Sequence, residues 1–229
     1  MGTRRKSREL ALQALYFLEW ERSNATATPQ AQDIEIGTEL RLRSFCSNFE
    51  VHQTNLSFFL MLVRGVTYLR PEIDAIIERF SSHWKVHRMS SVDRNILRMA
   101  VFEICCRPEI PHTVSINEAI DLGKKFGTEE SGAFINGILD SLRIAVEKEP
   151  ISWITPSEEI RKRIENPELK PLEELMQKPG VVPGKSSWSH ASARDEDANG
   201  RDDTETKPRR RRIVQDPKNF SRPVTTTER

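Results

Sequence analysis

Four cations crowd the start of the chain: Arg4, Arg5, Lys6 and Arg8. Cations grouped this way meet phosphates. Tyr16 and Phe17 follow on the same segment, and a second group, Lys124-Lys125-Phe126-Gly127, is followed by Phe134. Lysines adjoining an aromatic at a helix end suit single-stranded RNA, where cations meet phosphates and aromatic faces stack on splayed bases at ~1–3 kcal/mol each. The same residues also fit a plainer arrangement, with Tyr16, Phe126 and Phe134 in the core and the lysines on a solvated end. Spacing alone favours the plainer one.

Catalytic chemistry is harder to assemble. Gly123, Gly127, Gly132 and Gly137 are spread through helices and caps instead of forming a phosphate-cradling turn. His83 and His87 are four apart, as metal ligands on a helix can be, but no third ligand stands nearby; they read as exposed histidines, and no metal or cofactor is expected. Cys46, Cys105 and Cys106 are odd in number and lack ligand spacing, so they read as buried small hydrophobes in a reducing cytoplasm. Each carboxylate is accounted for by a cap or a solvated face.

The elements that must carry these residues are helical. In residues 4–22, Leu10, Ala11, Ala14, Leu15 and Leu18 form one apolar face. The basic first turn opposes the helix dipole, a mild hint of a polyanionic partner. A polar loop over 23–35 precedes a helix with Ile36, Leu40, Phe45 and Phe49 as its apolar positions. Thr54 reads as the cap of a helix running to about Leu69, and Pro71 suits the first turn of the next, which buries Ile73, Ile76, Ile77 and Phe80. Ser90 to Asp93 resembles a capping box with the shorter acid and opens a helix in which Ile96, Leu97, Ala100, Val101 and Ile104 repeat at helical spacing; Ser115 to Glu118 is a full Ser-x-x-Glu box. Gly127 is expected at the C′ position of that helix, and Thr128 as the cap of the last core helix, with Phe134, Ile135, Ile138, Leu139 and Leu142 inward. No stretch alternates long enough to demand a strand. The fold class is all-α, with about seven helices.

The pattern decays after Pro150. Residues 1–149 carry 19 basic and 20 acidic side chains, and residues 150–229 carry 16 and 14, so any RNA contact must come from local patches and not from net charge. Nine of the 13 prolines lie in the second part. The division is therefore a helical domain over 1–149 and a polar extension over 150–229, mostly disordered, with short helices within 157–177. The run Arg209 to Arg212 reads as part of a solvated tail. No apolar run approaches the ~18 residues of a membrane span, and the basic start leads into an amphipathic stretch, not a signal core.

RRKSRELALQALYFLEW, DRNILRMAVFEI and VSINEAIDLGKKFGTEESGAFINGILD resemble the N-terminal, middle and C-terminal motifs of the NusB family of bacterial transcription antitermination factors, over roughly residues 4–146. The resemblance implies two small helical bundles in a cytoplasmic protein that is not an enzyme. It implies binding of boxA-type single-stranded RNA in ribosomal RNA transcripts together with NusE, a small-subunit ribosomal protein, and entry into the RNA polymerase complex. It maps the arginine-rich start onto Arg4, Arg5, Lys6 and Arg8, an RNA-facing aromatic onto Tyr16, the KxFG turn onto Lys124, Lys125, Phe126 and Gly127, and a further aromatic onto Phe134. A NusE contact maps onto Asp93. Members can self-associate, so a homodimer is possible. The related RNA cytosine methyltransferases continue into a large α/β domain, for which residues 150–229 are too short and too polar. A protein-only adaptor without RNA affinity remains the alternative.

Overall fold

Gly65 sets how closely two central helices approach: a Cβ there would run into the Phe102 ring. In the computed structural model, which describes residues 2–24, 31–81, 84–149 and 153–171, these positions lie on α3 and α5. The described elements are α1 (Thr3–Asn24), α2 (Ala31–Asn48), α3 (Gln53–Tyr68), α4 (Arg70–Phe80), a 3-10 turn (Val86–Arg88), α5 (Ser91–Cys106), α6 (His112–Phe126), α7 (Ser131–Lys148) and α8 (Glu158–Glu165). There is no strand among the described residues, so the all-α class holds. The chain divides into units 1–182 and 183–229; the second lies wholly outside the described residues, as do the Arg209–Arg212 run and His83.

Helices α1 to α3 form one layer of packing and α4 to α7 another, with α5 touching α1, α3, α4, α6 and α7. The apolar positions read from the sequence supply the core: Leu10, Ala11, Ala14 and Leu15 from α1, Ile96, Leu97, Ala100 and Val101 from α5, Ile135, Leu139 and Leu142 from α7. Helices α3 and α4 are separated by Leu69 alone, whose N–H closes α3 on the Gly65 carbonyl, and Pro71 sits in the first turn of α4, where its missing donor costs nothing.

Several expected caps are placed differently. Thr54 lies inside α3, whose N-cap is His52. Helix α6 begins at His112, one turn before Ser115, because Ser115 and Glu118 are drawn into a buried charge cluster instead of capping each other. Gly127 has φ −97°, not the left-handed conformation of a C′ glycine; glycine is needed there because a Cβ would strike Ser131 Oγ. Thr128 does not cap α7; Ser131 Oγ, the first residue of α7, accepts the Thr128 N–H at 2.9 Å and closes the turn.

Packing does not stop at Pro150. Ser157 caps α8 by accepting the Ile160 N–H, and Ile154 and Ile164 are buried. Trp153 lies tilted on Phe80 with ring centroids 5.7 Å apart. This strap is held by Arg64 on α3. Arg64 is fully buried, donates to both Glu39 carboxylate oxygens at 2.7 and 2.8 Å, and donates to the backbone carbonyls of Asn166 and Glu168. Arg43 donates to the Lys170 carbonyl at 2.6 Å. Packed structure therefore continues past residue 149 as far as these contacts. Of the expected segment 169–177, residues 169–171 are not helical and the remainder lies outside the described residues.

Candidate nucleic-acid interface

Two ion pairs lay the start of α1 alongside α6, both chains running in the same direction. Arg5 pairs with Asp121, and four residues further on each helix Lys125 Nζ bonds Glu9 Oε1 at 2.6 Å. The basic start of α1 and the Lys124–Gly127 turn thereby share one surface, as the two motifs require.

The expected site residues occupy it unequally. Arg4 is exposed, with its guanidinium 5.5 Å from the centroid of the Phe58 ring, and Lys6 is partly exposed. Arg5 keeps about two-fifths of its side chain exposed beside Asp121. Tyr16 is 52% exposed, so it is not a core residue. Lys124 is exposed and lies across Gly132 at the start of α7. Lys125 is held over the half-buried Phe126 ring at 5.0 Å as well as by Glu9. Phe134 is half-buried and meets Trp84 edge-on, with centroids 6.0 Å apart.

Arg8 is the exception. Only 4% exposed, it donates from Nε and Nη2 to the two carboxylate oxygens of Glu103 at 2.8 and 2.7 Å. Glu103 also accepts from Ser115 at 2.7 Å, and Glu118 lies 3.5 Å from Arg8. A guanidinium enclosed with two carboxylates has no path to a phosphate, so Arg8 leaves the candidate interface. Arg4, one turn earlier on the same side of α1, reaches the same Phe58 ring but stands at the exposed end of the helix, whereas the turn that carries Arg8 is covered by α5 and α6.

Toward the C-terminal end of α1, Glu19 gathers Arg70, Arg94 and Arg98 with Asn95, and Arg98 continues to Asp74. Burial by itself would raise the Glu19 carboxyl; hydrogen bonds from Arg94 and Arg98 outweigh it and hold Glu19 below the usual carboxylate range. The same α5 turn carries Asp93, which is largely enclosed. Ser90 Oγ caps the helix by accepting the Asp93 N–H at 3.0 Å and donates to Asp93 Oδ2 at 2.8 Å, so the expected box is one-sided. Asp93 Oδ1 is enclosed with no hydrogen-bond partner among the described residues.

Burial pushes the thiols of Cys46 and Cys106 up to about 11 and that of Cys105 to about 12, which leaves them protonated and poor nucleophiles at neutral pH. Among the described residues no three His, Cys, Asp or Glu side chains converge as metal ligands, and no helix is long and apolar enough to cross a membrane.

The family model described as the NusB family matches residues 5–143. The chain belongs to the NusB family. A transcription antitermination protein NusB of Desulforapulum autotrophicum is 52% identical over 147 residues, covering 63% of this chain and 93% of that protein. The NusB of Myxococcus xanthus is 48% identical over 148 residues, covering 65% and 99%. Among solved structures, NusB of T. maritima matches with a TM-score of 0.50 and 32% identity over 69% of this chain and 96% of that one. Membership in NusB places the chain among transcription antitermination proteins and not among enzymes. The family match ends at residue 143, so α8 and its strap lie beyond the NusB core.

Sequence reasoning passed over Trp20, which is 45% exposed, and the Glu19 hub. Trp20 stands four residues after Tyr16. That spacing on a helix puts both on one face, and it was a readable signal.

Proposed function

We propose that this NusB-family chain is a partner-dependent RNA-binding antitermination factor, acting in the cytoplasm on boxA-type single-stranded RNA with NusE and the elongating RNA polymerase. The observation that carries this reading is the pairing of Arg5 with Asp121 and of Glu9 with Lys125, which sets the basic start of α1 beside the lysine-bearing end of α6, with Tyr16 exposed further along α1. Arg4, Arg5, Lys6 and Lys124 supply phosphate contacts, and Tyr16 supplies a stacking face. Phe134, edge-on to Trp84, adds a second aromatic contact on α7.

The test separates the two kinds of contact. Arg5→Ala lowers RNA affinity and flattens the slope of log affinity against log salt by roughly 0.7 on single strands. Tyr16→Ala weakens binding with little change of slope. NusE tightens RNA binding, and RNA tightens NusE binding by the same factor. Independent binding of the two ligands would sink the proposal. A second reading, the protein-only adaptor, draws on the carboxylates that already engage Arg5 and Lys125. It predicts no RNA binding by the protein with or without NusE. Self-association through this face is a third outcome, seen as RNA affinity that falls with rising protein concentration.

Asp93 is the proposed NusE contact. Ser90 Oγ caps the helix and donates to Asp93 Oδ2, a bond that an amide oxygen can also accept, while Asp93 Oδ1 has no partner among the described residues. Asp93→Asn weakens NusE binding while melting changes by less than about 1 kcal/mol, which isothermal titration and a melt on one sample measure together. A large drop in melting with unchanged NusE affinity would assign Asp93 to the fold alone.

A further inference from the structure

We propose that Trp20 is a second base-stacking platform on α1, continuing the RNA surface one turn beyond Tyr16; this rests on the RNA-binding reading above. Arg5, Tyr16 and Trp20 fall within about 60° of one another around the helix at 3.6 residues per turn. Tyr16 and Trp20 are 52% and 45% exposed, and among the described residues neither ring packs on another aromatic ring. Four residues advance the helix by ~6 Å. That exceeds the ~3.4 Å rise of a stacked strand, so two bases lying on these rings are splayed from each other, as single-stranded RNA allows.

The electrostatics beside Trp20 suit the same ligand. Glu19, its neighbour, is a carboxylate that would repel phosphate if left bare. Arg70, Arg94 and Arg98 converge on it instead, so no bare carboxylate stands beside Trp20. The exposed cations at the start of α1 and the two exposed rings further along it suit a strand that meets phosphates at one end and stacks bases at the other.

The full-length protein is titrated with a labelled single-stranded RNA carrying a boxA-like element, with NusE present, at two salt concentrations. Trp20→Ala binds roughly tenfold or more weakly, with an unchanged salt slope. Trp20→Phe keeps most of the affinity because it keeps a flat ring. Trp20→Leu retains apolar bulk without the ring and behaves like Trp20→Ala, which guards against a loss caused by altered folding; melts of all three variants accompany the titration. If wild type and Trp20→Leu bind RNA equally while Tyr16→Ala binds weakly, the second platform is refuted and the RNA-binding reading stands. If Trp20→Leu loses NusE or self-association but not RNA, Trp20 is a protein contact and the inference is overturned. If wild-type protein binds no RNA, the underlying reading has failed as well.

Discussion

Arg8→Ala costs about 3–5 kcal/mol of folding stability, the loss characteristic of breaking one partner out of a buried ion pair. The variant leaves Glu103, 1% exposed, with only the Ser115 hydroxyl to meet its charge, and it strips Glu118 of its cation. It also empties the space under Phe58, whose ring Arg8 approaches to 5.2 Å. Denaturant unfolding measures the loss. The folded fraction keeps the wild-type salt dependence of RNA binding, in contrast to Arg5→Ala, three residues earlier. A variant of undiminished stability with a flattened salt slope would return Arg8 to the phosphate contacts. The pair of substitutions thus divides a basic run that composition presents as uniform.

Ending the chain at Glu149 lowers the thermal midpoint by roughly 10–20 °C, at about 2–4 °C per kcal/mol for a protein of this size. Two buried isoleucines are lost, Ile154 and Ile164, each worth about 1.5–3 kcal/mol, together with the contact of Trp153 on Phe80. Arg64 loses two carbonyl acceptors while still paired to Glu39. A chain ending at Lys178 keeps all of these contacts and melts near the full-length value. Scanning calorimetry on the two truncations separates the strap from the remainder of the extension. Equal midpoints for the two would show that the strap contributes nothing.

The helices were legible because their apolar positions recur at three and four residues and tertiary packing follows that period. Leu10, Ala14, Ile96, Ile135 and Leu139 are buried as their spacing implies. Polar residues were less legible. Ser115 and Glu118 have capping-box spacing, but spacing carries no information about Arg8, more than a hundred residues away, whose buried charge recruits both. Arg8 itself looked like one more surface cation because a charge run does not show which of its turns the later helices will cover. The strap was only half visible: Ser157 announced α8, yet its two buried isoleucines are too few to make a periodic stripe. Within the candidate interface, Tyr16 was legible beside the basic run and again in the family motif, whereas Trp20 adjoins no cation in the sequence and its exposure shows only once α1 is packed.

The strap is recognised through its main chain. Arg64 and Arg43 donate to the carbonyl oxygens of Asn166, Glu168 and Lys170, groups that every amino acid carries. Pro167, between two of those acceptors, holds φ near −65° and has no N–H, so it helps present oxygens without offering a competing donor. A segment gripped this way can exchange its exposed letters freely as long as its path and length are kept. An inserted or deleted residue between Ile164 and Lys170 would shift every acceptor against its guanidinium, whereas Glu168 or Lys170 could become many other residues without loosening the grip. Evolutionary drift in this appendage to the NusB core is therefore constrained in its spacing far more than in its identity.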